Sequence, residues 1–435
     1  MRTFRYARVV AALVSGLALA DVLAAAPSYG QAVEKETAST ALWIRGVKIH
    51  PQLRGQAAID DGVLVVQDGK LICLGPARTA TCPKPAGARE LDFGGKSVLI
   101  PGLIEGLGRM GLYEVDAEGS SHDGTAARQT NNAAVRALDG VTMASRAMAA
   151  ARKAGVLAAV VRPQGHALIG GQSVAFRTLG TTVEHALIAA SAAVHVHLGQ
   201  EAKRDEPLVG SRSGQIAALR AILTQAQRLA AWPATKKLPP GPEGDRLARL
   251  REDPALLALV PVVARKQPLV VHAHRADDIA AALRVQKEFA LQMVIADGAE
   301  AHVVADLLAK QSVPVLLQVR VRPYDFSTQR ARDDSAAALV AAGVTVALAS
   351  GESHNARNLR WEAGYAVTQG LAWQQALDGV TRLPAEILGL PSGTGTLTVG
   401  QLAAFAVYDG DPLSLTSHVQ LVVLGDSVEL APQQR

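Results

Sequence analysis

Cysteine is nearly absent from this 435-residue chain, which has two, and aromatic residues make up only 4% of it. Two cysteines allow one bridge at most. The scarcity of aromatics, set against heavy use of alanine, points to close-packed helices with small side chains. Charged residues are 19% and hydrophobic residues 49%, which excludes a disordered chain. No block of Lys and Arg interleaved with aromatics occurs, so nucleic-acid binding has no footprint. A Gly-x-Ser-x-Gly elbow, a P-loop and a dinucleotide fingerprint are all missing. The twelve apolar residues from Val9 to Ala20 are too few to cross a bilayer and no other long apolar run exists, so no stable membrane span is expected.

The first residues read as an export signal. Arg2, Arg5 and Arg8 form a basic region, Val9 to Ala20 an apolar one, and Asp21 ends it. Gly30-Gln31-Ala32 offers small residues where a signal peptidase cuts, and Ala24-Ala25-Ala26 is a second site. Residues 1–32 are therefore expected to be a signal peptide and the mature protein periplasmic or secreted. The formal charge of +5 includes three arginines and one aspartate in that segment, so the remainder carries +3, which a solvated face accounts for. In an oxidising compartment Cys73 and Cys82 can bond; otherwise they are two separate thiols, one in a strand.

The length suits a large barrel with a smaller domain attached. Residues 41–98 read as short strands, with Asp68-Gly69 as a hairpin turn between Gly62–Val66 and Lys70–Gly75. Strands return at Leu402–Tyr408 and Val419–Leu424. Between these ends, Ala-rich helices such as Met143–Ala154 alternate with apolar β-branched runs such as Val156–Val161, Leu269–Val271, Met293–Ile295, Val313–Leu317 and Val344–Leu348. Such alternation means a parallel sheet, and at this length a closed (β/α)8 barrel. The proline-rich residues 232–255 read as a surface insertion.

The run Leu99-Ile100-Pro101-Gly102-Leu103-Ile104-Glu105-Gly106-Leu107-Gly108-Arg109 resembles the first barrel strand of the amidohydrolase superfamily, whose pattern is Pro-Gly-Leu-Ile-Asp-x-His-x-His. Asp61–Ile72 is similar to that family's N-terminal sheet, Thr381-Arg382-Leu383-Pro384-Ala385-Glu386-Ile387-Leu388-Gly389 to its late helix, and Gly395–Gly400 to its returning strand. Ile169-Gly170-Gly171-Gln172 and Gly199-Gln200-Glu201-Ala202-Lys203-Arg204 resemble the exported imidazolonepropionase-like group. The resemblance implies an α/β fold: a (β/α)8 TIM barrel of the metal-dependent hydrolase type over residues 101–394, with a small β-sandwich-like domain built from residues 41–100 and 395–435.

It also implies a metal at the barrel mouth, held by two histidines after strand one, one each after strands five and six, and an aspartate after strand eight. The metal would activate a water and polarise a carbonyl. Here Leu107 and Arg109 stand in place of the first two. His272, in Val270-Val271-His272-Ala273-His274, keeps the strand-five position, and strand alternation sends His274 the same way. Asp297 replaces the strand-six histidine, although Asp before Gly298 is also ordinary turn chemistry. Ser350-Gly351 replaces Ser-Asp after strand eight, with the Glu352 carboxylate next along the chain. The possible residual metal ligands are thus His272, Asp297 and Glu352, with Glu352 also the candidate catalytic group. Arg109 and His274 are candidate ligand-binding residues, and His166 could line the mouth. His195 and His197 sit in a Thr182–Leu198 stretch that reads as helical, where residues two apart diverge.

A guanidinium about 5 Å from a divalent ion repels it by roughly 7 kcal/mol at an effective dielectric of about 20. No cofactor is therefore expected, the alternative being one zinc or other divalent metal. The expected function is that of a metal-depleted amidohydrolase-like protein of the cell envelope. It would be catalytically weak or silent, binding a small ligand or an envelope protein, as a homo-oligomer or paired with an active paralogue. The alternative is a mononuclear hydrolase of C–N bonds in cyclic amides or small peptides.

Overall fold

The computed structural model describes residues 41–431, apart from 80–81, 116, 125–128, 165–166, 204–208, 234 and 322–325. The expected signal peptide, His166, and Arg204 of the second group motif lie outside the described residues. No described helix is long and apolar enough to cross a membrane.

Four strands open the chain: β1 (Leu42–Ile49), β2 (Ile59–Gln67), β3 (Lys70–Pro76) and β4 (Arg89–Pro101). Eight follow in the middle: β5 (Leu103–Gly108), β6 (Val156–Val161), β7 (Ile169–Arg177), β8 (Leu187–His197), β9 (Leu269–Ala273), β10 (Met293–Asp297), β11 (Val315–Gln318) and β12 (Val346–Ala349). Three close it: β13 (Ala404–Tyr408), β14 (Val419–Leu424) and β15 (Ser427–Leu430). The helices are α1 (Arg146–Lys153), α2 (Val183–Ala186), α3 (Arg212–Ala231), α4 (Pro242–Arg251), α5 (Pro254–Val263), α6 (Ala276–Phe289), α7 (Ala305–Lys310), α8 (Ser335–Ala341), α9 (Leu359–Thr368), α10 (Trp373–Val380) and α11 (Arg382–Ile387).

The outer strands of the chain form one seven-stranded sheet in the order β15-β14-β13-β4-β1-β2-β3. β4 pairs parallel with β1 and antiparallel with β13, so it joins the contributions of the two termini. Asp68 and Gly69 both take positive φ, 50° and 68°, in the tight hairpin that pairs Gln67 with Lys70. Cys73 and Cys82 are bonded, and the Trp43 indole N–H donates to the Cys82 carbonyl at 3.1 Å.

β4 runs almost directly into β5 and so passes from this sheet into the barrel. Gly102 makes the transition. A Cβ there would lie 2.6 Å from the Leu157 side chain, so no larger residue fits, and the Gly102 N–H donates to the Ala404 carbonyl.

The middle strands form a nearly closed eight-strand barrel sheet in the order β12-β11-β10-β9-β8-β7-β6-β5. Seven run one way. β7 runs against both neighbours, pairing Val160 with Ala175 on one side and Ser173 with Ala193 on the other. This corrects the expectation of a wholly parallel barrel. A parallel crossover needs a dozen or more residues, usually a helix. Only residues 162–168 join β6 to β7 and only 178–186 join β7 to β8, so both connections fold back antiparallel.

Leu107, Val160, Ala175, Val270, Val294, Ala296, Leu316 and Ala347 fill the barrel interior as a dry layer. The other faces of the strands pack against the surrounding helices through Val161, Val194, Val271, Ile295, Leu317 and Leu348. The 232–255 segment contains α4, opened by Pro242 at the first helical turn.

Candidate functional site

Above the dry layer the strand ends carry polar side chains. On β8, His195 and His197 are buried and face β9, where His197 is in register with His272. This corrects the helical reading of Thr182–Leu198: only Val183–Ala186 is helical, and β8 follows at once. Pairing with β7 and β9 overrides the helix preference of the alanines. The alternation Val194-His195-Val196-His197 was the signal for a strand.

The His272 ring is held from both ends. Its Nδ1 lies 2.8 Å from Asp297 Oδ2, and its Nε2 lies 2.9 Å from His195 Nδ1. Its ring also stacks on His197, with centroids 4.7 Å apart. His197 Nδ1 donates to the Ala167 carbonyl at 3.2 Å. Gly170 leaves room for that ring, because a Cβ there would come within 2.7 Å of His197 Cε1.

Asp297 ends β10 in the left-handed region at φ 71°, and Gly298 follows at 64°. The turn and the carboxylate contact are thus both present at this residue. Burial pushes the Asp297 carboxyl up, but the charge of His272 and its hydrogen bond outweigh this, so it stays ionised far below the usual carboxylate range. Burial, then the neighbouring His272 and Arg162 charges, push His195 and His197 well below ordinary histidine values, so both are neutral. Arg162, at the end of β6, is 9% exposed.

A second polar group lies where the barrel closes. Glu105 on β5 is fully buried. It accepts from the Leu107 N–H at 3.0 Å, and from the Ser350 N–H and Oγ–H at 3.0 and 2.5 Å. Burial raises its pKa against the pull of these bonds. Arg109 donates to Glu352 Oε2 at 2.9 Å, to Gln164 Oε1 at 3.1 Å and to the Gly351 carbonyl at 3.2 Å. Its guanidinium also sits 5.6 Å from the Tyr113 ring centroid.

Of the residues singled out in the sequence, the structure brings His272 and Asp297 together and pairs Arg109 with Glu352. Leu107 is part of the dry layer. His274 lies one residue beyond β9, with Nδ1 screened from water and without a hydrogen-bond partner among the described residues. Glu105, Ser350, Arg162, His195 and His197 had no assigned role, although Glu105 and Ser350 stand at positions of the family pattern and strand alternation marks the two histidines.

Residues 250–432 match the amidohydrolase family model. The match covers less than half of the chain, its C-terminal part. Amidohydrolase tasK of Hapsidospora irregularis is 28% identical over 347 residues, which are 69% of this chain and 34% of that protein. The chain therefore spans about a third of that relative's length. The crystal structure of an amidohydrolase from Thermotoga maritima MSB8 superposes with a TM-score of 0.79 at 23% identity, over 90% of this chain and all of that one. A prolidase complexed with N-methylphosphonate-L-proline gives 0.52 at 14% identity, over 90% and 100% of the two chains. Both show a shared fold.

Amidohydrolase domains usually bind metal ions; at this mouth the family-ligand candidates are engaged with one another, while Nε2 of His195 and of His197 and Nδ1 of His274 are buried without a partner among the described residues. Both His272 nitrogens are engaged, whichever of His195 and His272 carries the shared proton. Glu352 is held by Arg109. Among the described residues no three His, Cys, Asp or Glu side chains are disposed to hold an ion.

Proposed function

We propose that this amidohydrolase-family protein works in the cell envelope as a catalytically weak or silent member, binding a small ligand or a partner protein without a stoichiometric metal. The observation that carries this reading is the engagement of both His272 nitrogens, by Asp297 and by His195, which leaves the one retained family histidine no free lone pair for a cation. Arg109 adds to it, since a fixed positive charge stands in place of a family histidine and bonds to the only carboxylate beyond β12 that was a ligand candidate. The Cys73–Cys82 bridge supports an oxidising compartment and hence export. The Ile169–Gln172 run supports an imidazolonepropionase-like subgroup.

A second reading, a mononuclear hydrolase of C–N bonds, is favoured by the family match itself. Elemental analysis after expression with ample zinc and manganese separates the two. The first reading expects less than stoichiometric metal. One equivalent of either metal, lost together with an amide-hydrolysing activity on His272→Ala, establishes the second.

A further inference from the structure

Away from the mouth, a groove of about 1400 Å³ runs along the flank of the molecule between the seven-stranded sheet and the barrel helices. Phe93 of β4, Lys153 of α1, Arg357 and Trp361 around the start of α9, Gln420 of β14 and Leu430 of β15 line it.

Its polar groups are unbalanced. The Trp361 indole N–H is screened from water and has no acceptor among the described residues. Lys153 and Arg357 are exposed, and among the described residues neither has a carboxylate or carbonyl partner. The Gln420 oxygen already accepts from Ser97 Oγ at 2.7 Å, leaving its NH2 for a ligand.

The two carboxylates at the rim are taken. Asp92 accepts from Arg45 and the Gly94 N–H at 2.9 and 3.0 Å. Asp409 accepts from the backbone N–H and the ring of His418 at 2.7 and 3.3 Å. Behind the wall, the buried Arg360 guanidinium lies 4.7 Å from the Trp361 ring centroid. It donates to the carbonyls of Pro412, Ser414 and Ser417, and among the described residues no carboxylate is bonded to it. The groove therefore presents donors and positive charge beside apolar surface from Phe93, Trp361 and Leu430. That combination selects an acceptor-rich anion with an apolar body.

We propose that this flank groove binds an organic anion, with a flat apolar body against Phe93 and Trp361 and a carboxylate or phosphate head on Lys153 and Arg357. The inference is independent of what the barrel mouth does.

The test uses the full chain with 15N-labelled indoles and three probes: 2-naphthoate, 2-naphthyl phosphate and neutral 2-naphthamide. The Trp361 resonance is assigned with Trp361→Phe. At least one of the two anions should shift that resonance and leave those of Trp43, Trp232 and Trp373 in place. The tighter of the two names the head group. The amide should bind at least about tenfold more weakly, and Lys153→Gln/Arg357→Gln, with unchanged Tm, should weaken the anion by a similar factor. Should the double variant fold poorly, salt dependence in the native chain replaces it: added salt should weaken the anion and spare the amide. No shift with either anion overturns the proposal. So does an amide that binds as well as the anions, or an anion affinity indifferent to both the double substitution and salt.

Discussion

Arg109 Nη2 and Glu352 Oε2 meet at 2.9 Å across the seam between the first and last barrel strands. The same guanidinium reaches Gln164 and the Gly351 carbonyl, so one side chain ties three segments together. Glu352 is 40% exposed, which limits the worth of the ion pair to about 1 kcal/mol or less. Arg109→Ala should therefore lower stability by only about 1–2 kcal/mol once the two neutral bonds are included. Arg109→Lys should recover little of this, because an ammonium cannot span the three acceptors in the same plane. Urea melts of the two variants check it, and full rescue by lysine would contradict the fork geometry.

His195→Ala removes the partner of His272 Nε2 and frees that nitrogen. The variant should bind zinc at least about tenfold more tightly than the native chain, as read by competition with a chromogenic chelator. Equal affinities would show that the His195–His272 contact does not compete with a metal.

Ser350→Ala deletes the hydroxyl that donates to the buried Glu105 carboxylate. The loss should be about 1–3 kcal/mol, measured by denaturant unfolding. A change under about half a kcal/mol would mean that Glu105 is protonated and finds another partner.

Acid should weaken the fold well before ordinary carboxylates titrate. His195 and His197 are held neutral, while the unfolded chain protonates both below about pH 6.5. The unfolded state thus binds up to two more protons, and stability falls by up to about 2.7 kcal/mol per pH unit as pH drops through that region. Glu105 has the opposite sign: its raised pKa contributes stability in acid that is lost as pH rises through the folded value. One proton against two leaves the net direction unchanged. Asp297, with its depressed pKa, contributes stability above about pH 3.9 and gives it up only in strong acid. Tm should be level above about pH 7.5 and fall steadily below about 6.5. A Tm that is flat down to about pH 5.5 would contradict a neutral buried pair.

The bridge closes a short loop at the edge strand β3. Replacing Cys73 and Cys82 by serine should cost about 2–3 kcal/mol. Reductant should bring the native chain down to the level of the variant, and a native chain insensitive to reductant in unfolding experiments would count against a stabilising role.

Much of the fold could be read from local chemistry. Asp68-Gly69 dictates its own hairpin, and the apolar runs at 269–271 and 293–295 can only be buried strands between amphipathic helices. Pro101-Gly102 marked the family strand, although its cause, the approach of Leu157, is a tertiary contact that no local pattern reveals. The reversed strand β7 was hidden because its direction depends on the length of its connections, and β8 because its alanines favour helix until neighbours pair with it. At the site, His272 and Asp297 were legible from register with a known motif. The partner at His272 Nε2 was not, since His195 comes from a strand 77 residues earlier in sequence and meets it only through sheet pairing.

The barrel is a hoop whose last join is made with side chains. β5 and β12 share no backbone ladder; Glu105 grips Ser350 across the gap, and the Arg109 N–H reaches the Glu352 carbonyl at 3.2 Å just above it. Backbone ladders are indifferent to sequence, whereas a fastening made of a carboxylate and a hydroxyl can be tuned one residue at a time. Partial opening of this molecule should therefore begin along that line, with amide protons at the edges of β5 and β12 exchanging with solvent through a sub-global event while the remaining strands stay protected.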